Sequence, residues 1–553
     1  MKTPPIRLAS TLAGLALAAP SPAGAQFLES VTTIHTWEGT VPGDGWGICR
    51  TLGDLDGDGV PDYGIGVPAA DFTGDESGRA WIFSGATGDT IRTHAKGAGA
   101  NFGYDLAAVG DVDDDGVSDY VITAPRTRNF FTFNPPGVGR AFLFSGATGE
   151  QLHSWFGTDY DSANGRGFGS LCSGAGGTHQ DYVGDVNADG VPDIIIGACI
   201  GGTDQRGRLY VFSGADPATA LYTVSGETVG GLLGFGGGGV GDLDGDGFDD
   251  FCAGAPDEGP GNRGRVYVYS GQTGTQFPFS PLEPDTNGGR FGMFFANSPG
   301  DLNADGVPDL VVGDFLDAEL GASTGKLYTF SGADGSLLYK IAGEAAGDGF
   351  GVVRGAGDAN LDGTPDLLVA AFSSSAAAPS AGKAYVLSGV DGSVLRTITC
   401  TLDGDVFGIA IFGSPDANGD GVPDFLLGAT GNDAAGDNAG RVYLIAGEPS
   451  AVGLPAMEAP SNDLLTIDSR PNPSRGASEV RFTIPRRAEV SVTIHDAAGR
   501  TVRVIESRAA DAGDHSVIWD GRDRRGRLVG SGVYWATVRA LGTSASTKLV
   551  RAR

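Results

Sequence analysis

Short runs of β-branched and aromatic residues, bounded by Gly, Pro, Asp and Ser, recur along most of this chain. In one stretch the apolar YDLAAVG at 104–110 is followed by the polar DVDDDGVSD at 111–119 and the apolar YVITAP at 120–125. A variable polar segment separates these from GRAFLFSG at 139–146 and ATGEQLHSWFG at 147–157. Runs of this length and composition read as strands. The third run has counterparts at 78–85, 207–214, 264–271, 325–332, 382–389 and 440–447, from GRAWIFSG to GRVYLIAG. Four runs per unit predict a four-stranded antiparallel sheet, strands A to D, with an acidic nonapeptide joining A to B.

The nonapeptide sets the period. Its copies begin at Asp54, Asp111, Asp185, Asp242, Asp301, Asp358 and Asp416, spaced 57, 74, 57, 59, 57 and 58 residues apart. A sheet repeated seven times leaves unpaired edges unless the units close into a ring, and seven blades lie within the usual range of β-propellers. A linear solenoid would need distinct capping units at both ends. The ends of the array favour the ring: unit seven stops after GRVYLIAGEPS without a strand D, while an orphan strand, SVTTIHTWEG at 30–39, precedes unit one. The expected fold is all-β: a seven-bladed β-propeller over 26–447 closed by its N-terminal strand, a Pro/Ala-rich linker at 448–462, and a β-sandwich over 463–553, where EVRFTIP, EVSVTIHD, HSVIWDG and GVYWATVRA alternate with turns.

Composition narrows the setting. Ninety-four glycines in 553 residues suit many tight turns, and the absence of a G-X-Y period excludes collagen. A hydrophobic fraction of 40% can bury a core. The net charge of −31 disfavours nucleic acid and anionic membranes as partners. Residues 463–553 run against it, with 16 Lys+Arg and 10 Asp+Glu. The first 25 residues read as a secretory signal, with Lys2 and Arg7, an apolar stretch at 8–19 and a small-residue cleavage site at Ala23–Ala25. That stretch is too short to span a bilayer, and no later segment is long enough. Five cysteines do not make a disulfide scaffold at this length, although Cys172 and Cys199 flank one loop.

The nonapeptides carry the candidate chemistry. Positions 1, 3, 5 and 9 bear oxygen, position 7 offers a carbonyl, and position 6 is Gly, the pattern of an oxygen-rich cage for Ca²⁺. The candidate ligands are Asp54, Asp56, Asp58, Val60 and Asp62 in loop one; Asp111, Asp113, Asp115, Val117 and Asp119 in loop two; and Asp185, Asn187, Asp189, Val191 and Asp193 in loop three. Loop four has Asp242, Asp244, Asp246, Phe248 and Asp250, and loop five Asp301, Asn303, Asp305, Val307 and Asp309. Loops six and seven contribute Asp358, Asn360, Asp362, Thr364 and Asp366, then Asp416, Asn418, Asp420, Val422 and Asp424. An EF-hand would need an acidic residue at position 12 and flanking helices, but Ile65 and Ile122 stand there between strands. Turn formation alone would not require four oxygen-bearing groups at one focus. About seven Ca²⁺ sites are therefore expected, with the ions bracing the fold.

The combination of FG, D-x-[DN]-x-D-G-x-x-D and a GAP-like triplet resembles the FG-GAP repeats of integrin α-subunit propellers. The triplet reads GVP at 66–68, TAP at 123–125, GAC at 197–199, GAP at 254–256 and GAT at 428–430, and departs to GDF at 313–315 and AAF at 370–372. The resemblance implies a seven-bladed propeller with cations in hairpin loops on one face and partners docking on the other. RPNPSRG at 470–476, IHDAAGRTV at 494–502, WDGRDRRGRLVGSGVYW at 519–535 and the terminal TKLVRAR resemble the immunoglobulin-like domain of flagellar hook-capping proteins and the C-terminal sorting domains of type IX secretion. That likeness implies an Ig-like sandwich used for export to, or display at, a bacterial surface.

The B–C and D–A connections vary most. RTRNFFTFNPPGVG at 126–139 presents Phe130, Phe131 and Phe133, a candidate binding loop, with packing on the neighbouring blade as the alternative. There is no H-E-x-x-H, P-loop or G-x-S-x-G, and the histidines His35, His94 and His153 recur on strand D as structural residues do. The function expected is that of a secreted or cell-surface calcium-binding propeller that binds an extracellular protein or glycan. The alternatives are a hydrolase or lyase scaffolded on the propeller and a structural surface-layer component.

Overall fold

The computed structural model describes residues 26–448 and 466–552, apart from 74–75, 126–138, 158–167, 175–183, 203, 286–288 and 295 in the first part and 471–473, 475, 485–487, 497–500, 511–512, 523 and 541–542 in the second. The chain forms two compact units, residues 1–453 and 454–553.

The first unit contains seven antiparallel sheets. Blade one is typical: strand A Ile48–Gly53, B Asp62–Val67, C Arg79–Phe83 and D Thr90–Ala95, hydrogen-bonded in that order. Burial follows the order. Strand B is buried at every residue of DYGIGV, because it lies second from the axis with a blade on either side. Strand D, on the rim, is half-buried or exposed throughout. The seven A strands touch one another in a circle, the last of them, Phe407–Ser414, packing against the first.

The blades meet through apolar cores. Leu106, Tyr120 and Ile122 of blade two pack on Ile82 of blade one, and the same arrangement recurs around the ring. The closing interface has the same construction, with Leu426, Val442 and Leu444 of blade seven against Tyr63, Ile65 and Val67 of blade one. Strand Thr33–Glu38 pairs antiparallel with Arg441–Ile445 and supplies the missing strand D of blade seven. Trp37 fixes it there. Its ring packs on Tyr63 and Phe83, and its indole N–H donates to the Gly88 carbonyl at 3.0 Å.

Two expectations need correction. Blade four has three regular strands, Gly236–Gly241, Asp250–Ala255 and Arg265–Tyr269. In place of strand D, the segment after Gln276 makes only isolated bridges, Tyr269 with Gln276 and Val266 with Leu282. Pro278 and Pro281 lie within it, and neither has an N–H to donate to a ladder. The histidines are also not all in register. His35 faces Leu444 and His153 faces Leu143, both the fourth residue of strand C, whereas His94 faces the second, Ala80. Cys49, Cys199, Cys252 and Cys400 are buried, and the side chain of Cys172 lies outside the described residues. The insertions that lengthen the 74-residue step fall largely on 126–138, 158–167 and 175–183, also outside them.

The second unit is a two-sheet sandwich. Thr466–Arg470, Ser478–Ile484 and Gly513–Trp519 form one sheet. Thr501–Ala510, Ala488–Asp496, Gly532–Ala540 and Thr543–Arg551 form the other, in that spatial order. Val480, Phe482, Val517 and Trp519 of the first sheet meet Val492, Ile494, Ala536, Val538 and Leu549 of the second. Among the described residues no helix is long and apolar enough to cross a membrane.

If Thr33–Glu38 closes the ring as a packed strand, Trp37→Ala should lower the unfolding free energy by about 3–5 kcal/mol in urea titrations. Leu337→Ala, on the exposed rim of blade five, should change it by less than about 0.5 kcal/mol.

Candidate functional site

All seven nonapeptides adopt one hydrogen-bonding plan. The position-1 carboxylate accepts the amide protons of positions 5 and 6, as Asp54 does from Asp58 at 3.1 Å and from Gly59 at 2.8 Å. Asp185 does the same in loop three and Asp416 in loop seven. The position-5 carboxylate accepts from position 7, as Asp58 does from Val60 at 2.8 Å. Asn at position 3 substitutes for Asp without changing the turn: the Asn187 carboxamide oxygen accepts from Asp189 at 2.8 Å, where Asp56 accepts from Asp58 at 3.2 Å.

Position 6 is in the left-handed region in every copy, with φ from +88° at Gly190 and Gly421 to +92° at Gly363. A Cβ at Gly59 would meet nothing within 4 Å, so conformation rather than space demands glycine. Position 4 is left-handed too, with Asp114, Ala188, Ala304 and Leu361 among its occupants.

The plan gathers charge. The position-1, 3 and 5 carboxylates lie within 4.8 Å of one another in Asp54/Asp56/Asp58, Asp111/Asp113/Asp115 and Asp242/Asp244/Asp246. Ca²⁺ holds its oxygens at about 2.3–2.6 Å, so oxygens on opposite sides of one ion stand about 5 Å apart, and these clusters have the right span. In the four Asn loops the same hydrogen bonds place Asn303, Asn360 and their equivalents against Asp305 and Asp362.

Position 9 behaves differently. Asp62, Asp119, Asp193, Asp250, Asp309, Asp366 and Asp424 are completely buried. One oxygen of Asp62 accepts the position-2 amide of Leu55 at 2.7 Å, and the other accepts the amide of Gly85, at the end of strand C, at 3.0 Å. Every blade repeats this clamp, through Gly146, Gly214, Gly271, Gly332, Gly389 and Gly447. The glycine has a steric cause, since a Cβ at Gly85, Gly214 or Gly447 would collide with the position-8 carbonyl of the loop. The sequence pattern gave position 9 only as a ligand. Its role in tying loop to sheet is a further one, and the glycine ending each FSG-type run was its signal.

Burial pushes the position-9 carboxyls up to about 6 in Asp62, Asp119, Asp309, Asp366 and Asp424 and to about 7 in Asp193 and Asp250. The two backbone amides oppose the shift, and neighbouring loop carboxylates add to it. Phe130, Phe131 and Phe133 fall on 126–138 and lie outside the described residues.

Residues 242–312, from loop four through strand B of blade five, match the model of the FG-GAP-like repeat, and residues 470–544 match that of the FlgD Ig-like domain. The first match lies within the seven-bladed unit and the second within the sandwich. The chain is 31% identical over 232 residues to integrin alpha-5 of Xenopus laevis and 30% identical over 229 residues to human integrin alpha-IIb. These alignments cover 39% and 38% of this chain and a fifth of each relative's own length. Among solved structures, PorZ, a surface component of the type-IX secretion system of Porphyromonas gingivalis, aligns over 89% of this chain and 64% of its own at 15% identity, with a TM-score of 0.27.

Two outcomes test the clamp. Asp62→Ala leaves two buried amide donors without acceptors and should cost about 2–5 kcal/mol of stability in denaturant titrations, with Asp62→Asn costing less. The second is a pH dependence. Carboxyls raised above 3.8 in the folded state contribute stability that is fully present below that value and lost as pH rises through about 6–7. Cation-free protein should therefore melt at progressively lower temperature between pH 5 and pH 7.5, and a rise across that window would contradict the assignment.

Proposed function

We propose that this chain is a secreted or bacterial cell-surface binding module, in which Ca²⁺ at the seven acidic loops braces a propeller whose opposite face engages an extracellular protein or glycan. The observation that carries the reading is the convergence of three carboxylates within 4.8 Å at the tip of an exposed turn. Like charges so close repel one another, and a divalent cation turns that repulsion into attraction. The hard, all-oxygen donor set favours Ca²⁺, with the position-7 carbonyls of Val60, Val117, Val191, Phe248, Val307, Thr364 and Val422 completing the cages. Such ions are structural in this reading. Similarity to integrin α-subunits over the repeat region supports a binding role rather than a catalytic one.

The FlgD-type domain at 463–553 serves, in the same reading, to deliver or anchor the propeller at the cell surface after the signal at 1–25 has been removed. The aromatic loop with Phe130, Phe131 and Phe133 is the first candidate for partner contact.

Adding millimolar Ca²⁺ to cation-free protein should raise the melting temperature by several degrees, with a smaller response to Mg²⁺. An unchanged melting temperature would sink the calcium assignment. Arrays of glycans and extracellular proteins, probed with full-length protein with and without Ca²⁺, should give hits that disappear when the three phenylalanines are replaced by Ala. Hits that survive the replacement would move the contact elsewhere on the ring.

A further inference from the structure

The strands A surround an axial channel, and at one end of it lies a cavity of about 450 Å³. Its walls come from the segments entering strand A and leaving strand B, so it opens on the face opposite the acidic loops. Positions where the repeat breaks its own pattern meet there. The third residue of the GAP-like triplet is Pro, Cys or Thr in five blades, but Phe315 in blade five and Phe372 in blade six. Both rings line the cavity, packed edge to face with centroids 5.7 Å apart. Phe412, four residues before the first Asp of loop seven, lines it from blade seven. Neither the acidic turn nor its clamp calls for aromatic rings at these positions.

The ionic groups of the wall balance. Arg50 and Arg354 occupy the register position of Phe412 in blades one and six. Blade seven lies between those two, so the Phe412 ring has a guanidinium on each side, 4.0 Å and 5.1 Å from its centroid. Two carboxylates stand against them. Asp105 is ion-paired with Arg50 and acts on Arg354 as well, and Asp44 lies in the segment that enters strand A of blade one. Arg354 also donates to the Val353 carbonyl at 2.9 Å, and both it and Asp105 have further partners. Among the described residues of the wall, two guanidiniums and two carboxylates sum to zero, and most of the remaining surface is apolar.

We propose that this cavity binds a small uncharged molecule with an aromatic or alkyl body and a carbonyl group. Its volume lies within the roughly 300–1,000 Å³ of small-molecule sites, which are likewise mostly apolar with a few polar groups. The three phenylalanine rings take the body through apolar contact. The carbonyl suits guanidinium N–H groups, which donate and never accept. A charged ligand fits less well. Because the lining already sums to zero, an ion would bring a net charge into an apolar enclosure and lose its own hydration there. This site is independent of the calcium reading and of the partner that the same face would engage.

Calorimetric titration of the full-length protein at neutral pH with three compounds of one body, 4-phenylbutanamide, 4-phenylbutyrate and 4-phenylbutylamine, tests the assignment. The amide should bind at least about tenfold more tightly than either ion. Phe372→Ala removes a half-buried ring of the wall and should weaken the amide by about tenfold. Asp44→Asn leaves two guanidiniums against one carboxylate, and should raise the affinity of the butyrate relative to the amide by about tenfold. Equal or tighter binding of either ion to the unaltered protein would overturn the proposal. So would an amide affinity unmoved by Phe372→Ala, or a butyrate-to-amide ratio unmoved by Asp44→Asn. Failure of a panel of phenyl, indolyl and alkyl amides and ketones to bind at about 1 mM would do the same. The comparison of the three compounds on the unaltered protein decides the matter if neither variant folds.

Discussion

A buried carboxylate that accepts two backbone amides is the contact on which each blade depends. Asp62 and its six counterparts join three things: the start of the acidic loop, the start of strand B and the glycine after strand C. A wholly buried carboxylate is expensive unless its oxygens are satisfied, and here two N–H groups satisfy them. The position-8 carbonyl then packs so closely on the same glycine that no side chain fits. The loop is held to the sheet from below, leaving position 1 half-buried and position 5 exposed above it. Repeated seven times, the clamp sets where each hairpin sits and hence where its charge accumulates.

The clamp also explains how the two faces differ. Near the acidic loops the blades are alike, because every copy must satisfy the same amides and the same left-handed turn. At the opposite end a bridge to the next blade repeats, as Gly78 makes with Phe102 and Gly325 with Phe350, but it leaves the connections around it unconstrained. There the B–C connections vary in length, and the position four residues before each loop is free to become Arg in blades one and six, Phe in blade seven and Gly238 in blade four. The cavity in the channel follows from that freedom. Regular structure on one face leaves the other free to specialise.

Ring closure is a second consequence of edge satisfaction. A four-stranded blade has two edges: its inner strand is covered by neighbouring blades, and its outer strand is half-exposed. Blade seven borrows its outer strand from the N-terminus, so the first and last parts of the propeller sequence are hydrogen-bonded partners. Blade four shows that the outer strand is the expendable one. Two prolines disrupt its ladder, while strands A to C and their inter-blade core keep their places.

The period and the strand runs were legible in the sequence because each is a local pattern repeated along the chain, and the orphan N-terminal segment because the last unit lacks a strand D of its own. The acidic turn was legible through repetition too, down to the glycine at position 6. What tertiary structure decided lies in contacts between residues far apart in the chain. The bond from Asp62 to Gly85 spans 23 residues, and the Arg50–Asp105 pair spans 55. A lone arginine in an apolar strand reads as ordinary until its register around the channel is known. Composition and spacing fix what each repeat must satisfy locally, but only closure of the ring brings side chains from blades one, six and seven to a common axis.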